Sequence, residues 1–129
     1  MAESVTHEWA HIDGSENLAA SKTYSGGTKL RVTETIPIGA TNLNLSNVTL
    51  DVSAVKAFEV VADQALLLEP NNGTTPNSPM TLVANVPYRW NTDSYDAFFF
   101  GTDWTALFVT NASGVEATLK IRAILDPTP

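Results

Sequence analysis

A chain of 129 residues is the size of one ordinary domain, and its 43 % hydrophobic share is enough for one core. Only 16 % of the residues are charged, and the net charge is −7, with seven basic residues scattered among fourteen acidic ones. That balance argues against nucleic acid as a partner, since a phosphate backbone calls for clustered Lys and Arg. Cysteine is absent, which excludes disulfides, thiol catalysis and Cys-ligated metals together.

No apolar run approaches the ~20 residues of a membrane-spanning helix. Met1-Ala2-Glu3-Ser4 lacks the basic start and apolar core of a signal peptide, so the expected product is soluble and made in the cytoplasm. Four N-x-S/T sequons, at Asn44, Asn47, Asn72 and Asn111, then read as Thr- and Asn-rich composition, not as glycan sites.

The first recognisable stretch, SVTHEWAHID, contains His7-Glu8-Trp9-Ala10-His11, an H-E-x-x-H pattern. On a helix those histidines share one face and bind zinc, with the glutamate as general base of a metalloprotease. The surroundings supply no such helix: Gly14-Ser15 ends the segment early, no third histidine exists, and so short a helix is marginal in water. Read as a strand, the segment separates His7 and His11 by ~13 Å, too far for one ion. Coincidence is therefore the preferred reading, and the zinc protease is a remote alternative.

Residues 1–26 are read as a partly extended N-terminal arm, and 27–129 as a single β-sandwich domain. From Thr28, TKLRVTETIPIG alternates apolar and polar residues, with Pro37 marking a strand end or edge. LNLSNVTLDV repeats the pattern with a parity change at Ser46-Asn47 that predicts a bulge or turn. DVSAVKAFEV allows one short helix at most. KAFEVVADQALLLEP gives two short strands around Ala62-Asp63-Gln64, and EPNNGTTPNSPM is the clearest loop. TLVANVPYRWNTD follows as a strand or a pair, broken at Asn85 and Pro87.

Within NTDSYDAFFFGTDWTA, Asp93, Asp96 and Asp103 raise the question of a calcium loop, but the spacing is not that of an EF-hand. Asx turns are the simpler reading. Phe98-Phe99-Phe100, flanked by Tyr95 and Trp104, would face both sides of a strand, so burial is expected on each. Either the cluster plugs the sandwich core or one side meets a neighbouring subunit, where aromatics are enriched. Trp9, close to a chain end, invites the same argument. Trp9, Tyr95, Phe98, Phe99, Phe100 and Trp104 are the candidate interface residues. TALFVTNASGVEATLKIRAILD reads as a hairpin turning at Asn111-Ala112-Ser113-Gly114.

About eight short strands with regular turn signals predict an all-β protein, a single antiparallel β-sandwich of jelly-roll or Greek-key type. No G-x-S-x-G, P-loop or dinucleotide fingerprint is present, and a Ser-His-Asp triad would have to draw its histidine from the arm. No catalytic residue, cofactor or metal is expected.

Residues 51–129, chiefly the VTNASG…ATLKIR segment and the N-G-T-T-P loop before TLVA, resemble small virion proteins of tailed bacteriophages. Some of these act as head decoration or cement proteins. The resemblance implies a non-enzymatic β-sandwich on the outside of the capsid shell, a homotrimer whose partner is the major capsid protein, with no role for nucleic acid or membrane. A carbohydrate- or receptor-binding module, or a tail or neck component, is the alternative. Exposure of Trp90, Tyr95 and Trp104 on one concave face would favour sugar binding, and burial would count against it.

Overall fold

The computed structural model describes residues 3–13, 16–45 and 47–126, and in the first two strands the side chains of 4–8 and 20–26. In chain order come β1 (Glu3–Asp13), β2 (Glu16–Gly26), β3 (Thr28–Ile36), β4 (Leu43–Leu45), β5 (Val55–Ala62), β6 (Leu66–Pro70), β7 (Met80–Leu82), β8 (Tyr88–Asn91), β9 (Leu107–Thr110) and β10 (Ala117–Leu125). A 3-10 turn, Val52–Ala54, precedes β5, with the Asp51 carboxylate accepting from the Ser53 amide. The chain is all-β, and every strand pairing is antiparallel.

Two four-stranded sheets, ordered β3-β10-β5-β8 and β4-β9-β6-β7, face each other as a sandwich. Strand alternation decides what lies between them. Val32 and Ile36 from β3, Phe58 and Val60 from β5, and Leu119 and Ile121 from β10 point inward and are buried. The other sheet returns Leu66, Leu68, Met80, Leu82, Leu107 and Val109. Fully burying a side chain of this kind contributes about 1.5–3 kcal/mol.

Proline, glycine and asparagine end the strands where the sequence places them. β3 stops at Ile36 before Pro37, and the Pro- and Asn-rich segment 71–79 links β6 to β7. Asn71 adopts φ 70°, a left-handed value that Asn tolerates, and its side chain ties the loop together. Its Nδ2 donates to the Asp103 carbonyl and its Oδ1 accepts from the Thr105 amide.

One expectation fails. β9 and β10 are not partners: β9 pairs with β4 and β6, β10 with β3 and β5, so the connection crosses from one sheet to the other. Asn111 is the reason. Its buried Nδ2 lies within hydrogen-bond distance of the carbonyls of Ile36, Pro37 and Val115, and its Oδ1 accepts from the Ser113 amide and hydroxyl. That network pins the crossing to the end of β3 and does not close it into a two-strand turn. Among the described residues of the sandwich, β6 and β7 are the only consecutive strands that pair.

β1 and β2 form a separate ribbon, paired in unbroken register from Glu3↔Gly26 to Asp13↔Glu16. At ~3.3 Å per residue it is about 36 Å long. Its root lies on the outer face of β10 and β5, where Val5 and Tyr24 pack against Ala57 and Ile124. Gly26 makes that approach geometrically feasible, because a Cβ there would sit 2.6 Å from both Ile124 Cγ2 and the Leu125 carbonyl oxygen.

Candidate functional site

The hairpin root and the edge strand β8 together create a surface feature held by several side-chain contacts. Arg89, on the outer face of β8, donates from Nε to Glu59 Oε1 at 2.5 Å and from Nη1 to the Glu8 carbonyl. One step along, His7 is fully buried, with Nδ1 3.4 Å from Asn91 Nδ2 and its ring 5.6 Å from that of Tyr24. Lys22 then reaches Asp93 Oδ2 at 2.6 Å, and the Tyr24 hydroxyl donates to the same oxygen at 3.3 Å. Hydrogen bonding and charge from Lys22 lower the Asp93 pKa, and the same contact raises that of Lys22. Both side chains are largely exposed, so the pair positions the hairpin more than it stabilises it.

Between the hairpin and the segment after β8 lies a cleft of about 760 Å³. Tyr88, Trp90, Tyr95 and Phe99 line it, together with Asp93 and Asp96. The segment from Thr92 to Gly101 folds back on β8 through several hydrogen bonds, two of which fix aromatic residues of the cleft. Trp90 Nε1 donates to the Asp96 carbonyl at 2.8 Å, and the Phe99 amide donates to the Tyr88 hydroxyl at 2.9 Å. Burial raises the Tyr88 pKa, opposed by the Phe99 amide, so the phenol is protonated at neutral pH and its oxygen serves as acceptor.

The candidate residues separate into core and surface. Phe100 and Trp104 are buried inside the sandwich against Phe58, at ring distances of 5.8 and 6.0 Å, and are core residues of this chain, not interface residues. Trp104 also pairs with Leu50 through two backbone hydrogen bonds, of 3.0 and 2.8 Å, which close that end of the core. Phe98 is partly buried, 5.2 Å from Phe58 and 5.0 Å from Trp90. Phe99 is 44 % exposed and Tyr95 fully so. The backbone of Trp9, in β1, lies opposite Ala20 of β2, and the Trp9 side chain is outside the described residues.

H-E-x-x-H falls on a strand, so its histidines lie four residues apart along an extended chain; the His11 side chain is outside the described residues. His7 has its ordinary pKa lowered, mainly by burial, with Arg89 adding to the effect and Glu59 opposing it. Asp93, Asp96 and Asp103 do not act together. Asp93 holds Lys22, and Asp103 Oδ1 accepts from the Val52 amide at 2.9 Å on another part of the surface. Among the described residues no group of three His, Asp or Glu is placed to hold a metal ion. No protein-family model, curated protein or solved structure matches the chain.

Lys22, Tyr24 and Arg89 join the site without a signal of their own in the sequence. Tyr95, an aromatic set among Ser94 and Asp96, was the local signal available. Nothing local connects it with a hairpin some seventy positions earlier.

Proposed function

We propose that the chain is a non-enzymatic virion structural protein, a decoration protein that binds the outside of a major capsid shell as a homotrimer and bridges shell subunits. The resemblance of residues 51–129 to such proteins motivates this reading. The strand orders β3-β10-β5-β8 and β4-β9-β6-β7, with the chain passing repeatedly between sheets, fit a jelly roll, an architecture used by viral capsid domains.

The observation that carries the proposal is the hairpin. Two-stranded ribbons are marginal in water unless a further surface supports them. Here the described contacts with the sandwich run from Val5 to Glu8 and from Lys22 to Gly26. The ribbon continues through Trp9↔Ala20 to Asp13↔Glu16, a reach suited to laying strand edges and side chains on a neighbour. Several modest contacts in one trimer would act together through avidity.

The test is co-sedimentation with shells assembled without the protein, using the full chain and a shortened-hairpin variant. Joining Glu8 to Ser21 through Asn-Gly preserves an antiparallel pair and a two-residue turn. The full chain is expected to pellet with shells and raise their melting temperature, and the variant to melt normally but remain in the supernatant. Equal binding by both would remove the hairpin from the mechanism, and no binding by the full chain would end the decoration reading.

A further inference from the structure

We propose that the cleft beside β8 is a binding site for neutral oligosaccharides. The proposal goes beyond the shell-binding role and does not depend on it. Its first support is the kind of aromatic surface presented. Tyr95 is fully exposed, Phe99 is 44 % exposed and Trp90 is partly buried, and all three line one cleft. An exposed tyrosine is common, but one sharing a concavity of about 760 Å³ with two further rings forms an extended apolar floor. A pyranose ring carries a face of C–H groups that packs on such rings, and its rim of hydroxyls needs polar partners.

Those partners are present and have capacity to spare. Asp93 Oδ2 is occupied by Lys22 and Tyr24, but Oδ1 accepts no hydrogen bond among the described residues. The Asp96 carboxylate and the Tyr95 hydroxyl are likewise without hydrogen-bond partners among the described residues. The Ser94 hydroxyl accepts from the Asn91 amide and retains its own proton to donate. The floor is also held in place, because Trp90 Nε1 is anchored on the Asp96 carbonyl and the Phe99 amide on the Tyr88 hydroxyl. A surface fixed before binding loses less entropy when it binds.

Charge and ring spacing narrow the ligand class. Lys22 is neutralised by Asp93 and Arg89 by Glu59, which leaves Asp96 as the unbalanced charge and disfavours phosphates and acidic sugars. A quaternary ammonium would be held by rings that box it within ~6 Å. Tyr95 makes no ring contact among the described residues, whereas Trp90 leans on Phe98 and Phe99 on Tyr88. Rings spread apart in this way match successive units of an extended ligand. Trp104 does not take part: it lies in the core.

The test is a ¹H–¹⁵N NMR titration of the full chain with maltotriose, cellotriose, chitotriose and mannotriose, and with choline chloride. At least one trisaccharide is expected to shift amides between residues 88 and 99, with a Kd on the order of 1 mM or tighter. Tyr95→Ala should weaken that binding at least about tenfold, the loss of roughly 1.4 kcal/mol, while Tyr95→Trp retains it. Tyr95 is solvent-exposed, so neither variant threatens the fold. No shift with any of the four at about twenty times that Kd would overturn the proposal. So would shifts elsewhere on the surface, binding indifferent to Tyr95→Ala, or a response to choline alone.

Discussion

Asn91 Nδ2 approaches His7 Nδ1 at 3.4 Å in a buried position that joins the hairpin to β8. Asn91 Oδ1 already accepts from the Asp93 amide at 2.9 Å, which turns its NH₂ toward the ring and assigns Nδ1 the acceptor role of a neutral imidazole. Burial, then Arg89, holds the His7 pKa below its ordinary 6.5 against the pull of Glu59. The unfolded chain therefore takes up this proton at a higher pH than the folded one. The stability that neutral His7 contributes is complete above pH 6.5 and is lost as pH falls below that value and through the folded pKa. Melting temperature should accordingly drop between about pH 7 and pH 5. Asp93 does not share this window, because its lowered pKa places its loss below 3.8. Calorimetry on the wild type and His7→Gln checks it: equal slopes across that range would show that His7 is not the titrating group.

Gly26 is the hinge on which the hairpin approaches the sandwich. Gly26→Ala would drive a Cβ into Ile124 Cγ2 and the Leu125 carbonyl at 2.6 Å, and the carbonyl belongs to a ladder that cannot easily move. Overpacking of this kind costs about 1–3 kcal/mol. Relief is available by lifting the ribbon, so hydrogen exchange should quicken in β1 and β2 while the β5 and β10 amides remain protected. Uniform protection across all four strands would show that the contact relaxes locally.

Asn111 carries the crossing between sheets almost alone. Asn111→Ala would remove the side-chain donor from the buried Ile36 carbonyl and the acceptor from the Ser113 amide, while the Val115 carbonyl would keep the Ser113 hydroxyl. Each unsatisfied buried group costs about 1–3 kcal/mol, and water entering the gap offsets part of that, so a total loss of about 2–4 kcal/mol is expected in urea unfolding. Asp, which retains the acceptor and loses the donor, should fall between Asn and Ala. The buried amide also means that the Asn111 sequon offers no site for a glycan in the folded chain.

A row of charges runs across one outer face: Arg31 opposite Arg122, Arg122 opposite Glu59, Glu59 opposite Arg89. Burial lowers the Arg122 pKa, and Arg31 lowers it further against the opposing pull of Glu59. Like charges directly opposite each other destabilise a ladder by roughly 0.2–1 kcal/mol. Arg31→Thr should therefore stabilise the protein by about that amount, more at about 0.01 M salt than at 0.15 M, where screening is stronger. A loss of stability at low salt would show that the aliphatic stem of Arg31 matters more than its charge.

Local periodicity made most strands legible. The alternation in β3, its end before Pro37, the parity change between Leu45 and Val48, and the turn at Val52–Ala54 all depend on residues a few positions apart. Pairing was not legible, since an alternating segment looks the same whichever sheet receives it. Asn111 looked like a turn residue, yet its side chain reaches Ile36, whose position relative to it only the folded chain establishes. The core position of Trp104 is illegible for the same reason: nothing in TDWTA reveals Leu50 as its partner. The cleft was the least legible feature, because Lys22 and Asp93 become neighbours only after the hairpin lies down on the outer face.

The sandwich places its first strand, β3, beside its last, β10, and β10 separates β3 from β5. A ribosome releasing this chain therefore exposes β3 and β5 long before the strand that joins them exists. Closing so large a loop is entropically slow, and high contact order sets a folding time in the millisecond-to-second range. No truncated sandwich ending before Ala117 has a continuous first sheet, so the hairpin root gains the Ile124 part of its platform only when β10 arrives. Completion of the final strand thus finishes the ground on which the hairpin lies: a chain that stops before Ala117 lacks Ile124 and the Leu125 carbonyl that Gly26 approaches.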